Sequence, residues 1–96
     1  MKKPPEKIDG ANVLLWAWSQ EPFFCISSTD GSLSIPIFGL AVCRYVESGE
    51  VYRFSCNAKW ETENDFDYGT GPDAVEVAMT AVSIQYNSRV AWQKFE

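Results

Sequence analysis

Alternation of apolar and polar positions marks most of the chain as strand. NVLLWAW, residues 12 to 18, places Leu14, Trp16 and Trp18 on one side of an extended chain and Val13, Leu15 and Ala17 on the other. Apolar residues on both sides predict a strand covered on both faces and central in its sheet. Beyond Pro22, FFCI at 23 to 26 is a short apolar run closed by SSTDGS, whose Asp30-Gly31 pair is a turn signal. A small hairpin with residues 33 to 37 is expected.

The strongest local pattern is IPIFGLAVCRYVESGEVYRFSCNAKW, two strand-like runs joined around Ser48-Gly49. With a turn centred there, Val46 faces Val51, Tyr45 faces Tyr52, Arg44 faces Arg53 and Cys43 faces Phe54. One face then carries Ala41, Cys43, Tyr45, Tyr52, Phe54, Cys56, Ala58 and Trp60, the predicted core. In that register Cys43 and Cys56 are diagonal neighbours about 7 to 8 Å apart at Cα, a poor spacing for a disulfide. The opposite face, with Val42, Arg44, Val46, Arg53, Ser55, Asn57 and Lys59, reads as a solvated sheet face. A slip of one residue would exchange the two faces.

Period changes after Gly71-Pro72. Asp73 can cap a helix with Glu76 three residues on, and Val75, Ala78, Met79 and Val82 form one helical stripe. The helix is expected to end near residue 82, because Thr80, Val82, Ile84 and Tyr86 also alternate as a strand would. Asn87-Ser88 then makes a turn and RVAWQKF a last strand. Residues 1 to 9 lack apolar periodicity and are expected as a poorly ordered tail, with a single domain over 10–96. The predicted fold class is α+β: an antiparallel sheet of four to five strands with one helix packed across one face, a two-layer sandwich.

Composition narrows the chemistry. Ninety-six residues, 46% apolar and 15% aromatic with four Trp, suit one packed core without metal or disulfide staples. There is no apolar run of the roughly 18 to 20 residues a membrane span needs, and MKKPPEKIDG is polar and proline-broken where a signal peptide would be apolar. A cytoplasmic location is expected. Three cysteines, Cys25, Cys43 and Cys56, without a CxxC pair suggest neither a disulfide framework nor a zinc ribbon. The absence of histidine removes imidazole zinc sites, Ser-His-Asp and Cys-His catalysis and histidine pH switches.

Net charge is −5, and its layout is uneven: residues 61 to 76 hold Glu61, Glu63, Asp65, Asp67, Asp73 and Glu76 with no Lys or Arg. Asp65, Asp67, Asp73 and Glu76 fall at positions 1, 3, 9 and 12 of an EF-hand frame, but Gly69 and Thr70 occupy its fifth and sixth places, where a ligand and a glycine belong. As a recognition surface the same stretch fits better. Extended, Glu61, Glu63, Asp65 and Asp67 would share one edge, with Trp60, Phe66 and Tyr68 as aromatic anchors. A solubilising loop is the plainer alternative. Arg44, Arg53 and Lys59 make too sparse a row, diluted by Glu47 and Glu50, for nucleic acid. No phosphate-cradling glycine motif is present, since YGTGP matches neither the dinucleotide nor the Walker pattern.

The expectation drawn from these features is a small non-catalytic protein, without cofactor, that binds a basic protein partner through Trp60, Glu61, Glu63, Asp65, Phe66, Asp67 and Tyr68. A concrete version is a bacterial inhibitor or immunity-type protein masking a cationic groove. Nucleic acid and membrane are not expected partners. The alternative is a small-ligand or metal-binding module using the 61–76 carboxylates or a pocket lined by Trp16, Trp18 and Trp60. Homo-oligomerisation through a sheet edge is a third reading.

Overall fold

Strand formation begins earlier than the apolar pattern suggests, because Asp9-Gly10 is a hairpin turn. The computed structural model describes residues 2–86 and 89–96. Strand β1, Lys7–Ile8, pairs antiparallel with β2, Ala11–Trp18, placing Ile8 opposite Ala11 across a two-residue loop. Asp9 and Gly10 both have positive φ, 50° and 83°, as a type I′ turn demands. Residues expected as a loose tail therefore contribute a strand, and Ile8 is 3% exposed.

β2 is central, with β1 and β8 (Gln93–Lys94) along one side and β5 (Gly39–Arg44) along the other. A bulge interrupts it: Val13 pairs with Cys43, but Leu15 pairs with Val42. The extra residue resets the alternation, so Val13 shares a buried cluster with Trp16 while Leu15 packs with Val42 on the other side. Strict alternation had put Val13 and Leu15 together.

β3 (Phe24–Ser27) and β4 (Ser34–Ile37) form the small hairpin as expected, in a sheet of their own. In its turn the Asp30 carboxylate accepts from the Ser32 hydroxyl at 2.7 Å, the Ser32 amide at 3.0 Å and the Ser28 hydroxyl at 2.8 Å. Those bonds, the Ser32 hydroxyl first, lower its pKa to about 2. The chain then changes sheets at Phe38.

β5 and β6 (Val51–Cys56) are joined by a wider loop than Ser48-Gly49 implies. Tyr45 N–H donates to Glu50 C=O at 3.0 Å, leaving Val46 to Gly49 as a four-residue loop with Gly49 at φ 75°. Cys43 thus faces Tyr52, Ala41 faces Phe54, and Arg44 faces Val51. The shift from the expected register is two residues, so each side chain keeps its face. Cys43 and Cys56 are no longer diagonal neighbours, and Arg44 no longer faces Arg53.

β7 (Thr62–Asp67) completes the sheet, in the order β1-β2-β5-β6-β7 with β8 on β2. These six strands curl into a half-barrel, where an antiparallel sheet of four to five strands was expected. Its inner side holds Ile8, Val13, Trp16, Ala41, Cys43, Phe54, Cys56 and Trp60. Ala58, assigned to that core by alternation, is exposed. The other side is also covered: Val42 and Ser55 are 0% and Arg53 1% exposed, where a solvated face was expected.

Helix α1 runs over Ala74–Tyr86. It starts at the expected place, with Val77 N–H donating to Asp73 C=O at 2.9 Å, but continues four residues past 82. Ala74 and Ala78 share a cluster with Val42 and Val51, and Val82 shares one with Ile37 and Leu40. Burial of this stripe outweighs the β-branched residues near the end, whose helix propensity is only slightly unfavourable. The predicted Asn87-Ser88 turn lies outside the described residues, and the last strand is limited to Gln93–Lys94.

One close approach holds the curl. The Trp60 ring lies on Gly39, where a Cβ would stand 2.6 Å from ring atom Cζ3. Gly39→Ala must displace that ring, so it should destabilise the fold by about 1 to 3 kcal/mol. Urea denaturation reads this as a lower midpoint at unchanged slope; an unchanged midpoint would show that the seat constrains nothing.

Candidate functional site

The acidic stretch lies on the sheet's last strand, where a turn built by one asparagine feeds into it. Asn57 Oδ1 accepts from the amides of Lys59 at 2.9 Å and Glu61 at 3.0 Å, and its Nδ2 donates to Glu61 Oε1 and Glu63 Oε2, both at 3.0 Å. Trp60 within this turn has φ 62°, a left-handed conformation costly for a bulky residue. The strained backbone turns the indole inward, where it is 6% exposed and meets Trp16 and Trp18 at ring distances of 6.4 and 5.6 Å. Trp60 Nε1 donates to Lys2 C=O at 3.2 Å.

Trp60 is therefore core rather than surface anchor. The proposed tryptophan pocket fares likewise: Trp16 is 6% exposed and the three rings fill the inner cluster with their own atoms.

The four carboxylates do not form one row. A second bulge lets Thr62 pair with Cys56 while Asn64 pairs with Ser55, leaving Glu63 as the extra residue. Glu61 and Glu63 gather on Asn57 at one end, while Asp65 and Asp67 stand opposite Phe54 and Tyr52 on the concave side. All four are exposed. Phe66, on the other face of the strand, is 53% exposed and lies 4.9 Å from the half-buried Tyr68 ring.

Two adjoining cavities follow the concave mouth. One of about 780 Å³ is lined by Pro5, Lys7 and Asp9 on the β1 side and by Trp60, Glu63 and Asp65 on the β7 side. The second, about 670 Å³, shares Lys7 and Asp65 and continues to Tyr45, Glu50 and Tyr52. Here Glu50 and Asp67 meet: the hydrogen bond to Asp67, then its charge, raises the Glu50 pKa, and the same bond lowers that of Asp67. Burial raises the Tyr45 and Tyr52 phenols in turn.

Beneath β7 lies a feature the alternation pattern missed. Arg53 is 1% exposed, and its Nη1 donates to Ser55 Oγ and, at 2.8 Å, to Asn64 Oδ1 on β7. Its guanidinium lies 5.9 Å from the Tyr86 ring centre, and its Nε has no hydrogen-bond partner among the described residues. A buried cation held by neutral acceptors is costly and ties β7 to β6. The row of Arg44, Arg53 and Lys59 expected on a solvated face is thus broken, with Arg44 exposed and Arg53 inside.

Other chemistry finds little support in geometry. Burial pushes the Cys43 and Cys56 thiols up to about 12, so neither supplies a thiolate at neutral pH. Cys25 is exposed on β3, opposite Pro36. Asp65 and Asp67 on β7 are not gathered with Asp73 and Glu76, and among the described residues no group of three His, Cys, Asp or Glu is placed to hold a metal ion. No helix among the described residues is long and apolar enough to cross a membrane. No protein-family model, curated protein or solved structure matches the chain.

Two outcomes follow. Asn64→Ala removes one of the two acceptors of a buried cation and should cost about 1.5 to 3 kcal/mol in urea denaturation. A smaller loss would show that Arg53 does not depend on β7. The raised Glu50 pKa favours the folded state while Glu50 is protonated, and that contribution is lost as pH rises through the raised value. The lowered Asp67 pKa acts oppositely, losing its contribution as pH falls through the carboxylate range. Glu50→Gln keeps a donor facing Asp67 at every pH, so its melting temperature should exceed wild type at pH 7, and the gain should shrink as Glu50 itself protonates in acid. A gain independent of pH would sink the pairing.

Proposed function

We propose that this chain is a non-catalytic protein-binding module of the cytoplasm that docks a basic partner on the outer edge of its half-barrel. The helix lying across the convex side as a second layer is part of that reading. The observation that carries it is the composition of β7. Exposed Asp65 and Asp67 stand on the concave face, Glu61 and Glu63 are held by Asn57 at its start, and Phe66 is exposed on the reverse.

Charges of one sign along a cleft steer an opposite charge and raise its association rate, and an aromatic beside them supplies short-range energy. Pre-positioning of Glu61 and Glu63 by Asn57 also reduces the ordering cost of binding. An inhibitor or immunity-type role, masking the cationic groove of a basic enzyme, is the concrete form of this reading. It rests on size and charge alone.

The test compares wild type with a variant carrying Glu61→Gln, Glu63→Gln, Asp65→Asn and Asp67→Asn. For a basic partner captured at low salt, the association rate should fall about tenfold or more in the variant, and its dependence on ionic strength should flatten. Unchanged rate and unchanged salt dependence would remove β7 as the docking surface.

A further inference from the structure

Resting on that reading, we infer that the partner binds by adding an extended basic segment to β7 as a further strand. Among the described residues β7 ends the sheet and pairs with β6 alone. Tyr68 N–H donates to Val51 C=O at 2.8 Å, which sets the phase of the ladder. By alternation Phe66 and Asn64 direct their main-chain groups to β6, and Asp65 and Asp67 direct theirs outward. Such open donors and acceptors are a template for another strand.

Three features favour this occupant over others. First, the cavity of about 780 Å³ along the inner side of β7, bounded across the gap by Pro5 and Lys7, leaves room for side chains beside the edge. A row of charges serving only to deter pairing needs no such groove. Second, the two faces of β7 differ: Asp65 and Asp67 are concave, Phe66 convex and exposed. An added strand would therefore alternate Lys or Arg with apolar or small residues, its basic positions facing the carboxylates and the others Phe66. Third, a second copy of this chain is disfavoured, since β7 against β7 would set carboxylates beside carboxylates. β1 offers little competing edge, with two residues preceded by Pro4 and Pro5.

The probe is a capped hexapeptide, Lys-Val-Lys-Thr-Lys-Val, titrated into the intact chain at low salt with amide chemical shifts followed by NMR. Two further peptides carry backbone N-methyl groups on alternate residues, one in each phase. Strand addition predicts shifts at Asp65 and Asp67 and affinity reduced about tenfold or more by methylation in one phase only, since only that phase removes donors facing β7. Equal binding of all three peptides, abolished by Asp65→Asn with Asp67→Asn, would overturn strand addition and leave charge docking standing. No binding of the unmethylated peptide would overturn strand addition, with the carboxylates then acting as an edge guard; the four-carboxylate variant decides separately whether a basic protein still docks there.

Discussion

Much of the molecule hangs on the seating of Trp60 over Gly39. Only a residue without a side chain permits the ring to lie there, since a Cβ would meet three ring carbons within 3 Å. The contact joins the β6–β7 turn to the start of β5, and through Trp16 and Trp18 to β2. Trp60 Nε1 adds the N-terminal segment by bonding Lys2 C=O, while the Lys2 ammonium lies 5.5 Å from the Trp18 ring centre. One indole thus ties the β6–β7 turn to β5, to β2 and to the N-terminal segment. Its left-handed backbone is tolerated because burial of a large aromatic outweighs a strain of order 1 to 3 kcal/mol. The same turn fixes where β7 begins, and therefore where the carboxylates stand.

Covering both sides of β5 and β6 has a second consequence. A sheet face that remained in water could carry Arg53 freely, yet here the guanidinium is 1% exposed and bonded to uncharged oxygens. Removing either acceptor leaves a buried charge less satisfied, so Asn64 is constrained on a strand whose neighbours are otherwise free to be acidic. Arg53 thereby holds the edge strand from its inner margin, while Glu63, Asp65 and Asp67 remain available to solvent. A tether on one margin and openness on the other would suit the docking surface proposed above, by limiting what must be ordered on binding.

The α+β class, the β3–β4 hairpin and the start of α1 were legible because each follows from a local rule: alternation, a turn pair, a cap. Errors arose where one residue broke a rule. The Val13–Leu15 bulge, the four-residue loop at 46–49 and the extra Glu63 each reset register, and alternation carries no signal for an inserted residue. Asp9-Gly10 is a local hairpin signal, but the lysines and prolines before it carry the composition of a tail. Burial of Arg53 had no such signal, because cover on the second face is a tertiary fact. At the candidate site, composition marks the carboxylates and Phe66, which the fold leaves exposed, whereas Trp60 belongs to the core, and alternation gives no sign that Asn57 positions Glu61 and Glu63.

The two edges of the half-barrel differ in a way that explains why it stays open. To close it, β1 would have to pair with β7, but β1 is two residues long, and the Asp9-Gly10 turn directs it back along β2. Closure would also press Asp9 toward the carboxylates of β7, with Lys7 the one cation among the described residues that lines both cavities of the mouth. Like charge and short length together prevent the chain from satisfying its own edge. The open main chain of β7 is left to water, and carboxylates beside it repel acidic strands, including its own copy. In the docking reading proposed above, what deters an acidic strand would admit a basic one: an acidic, grooved edge would discriminate by charge before any side chain is matched, and the exposed Phe66 would supply the apolar contact that a charge guard alone would not need.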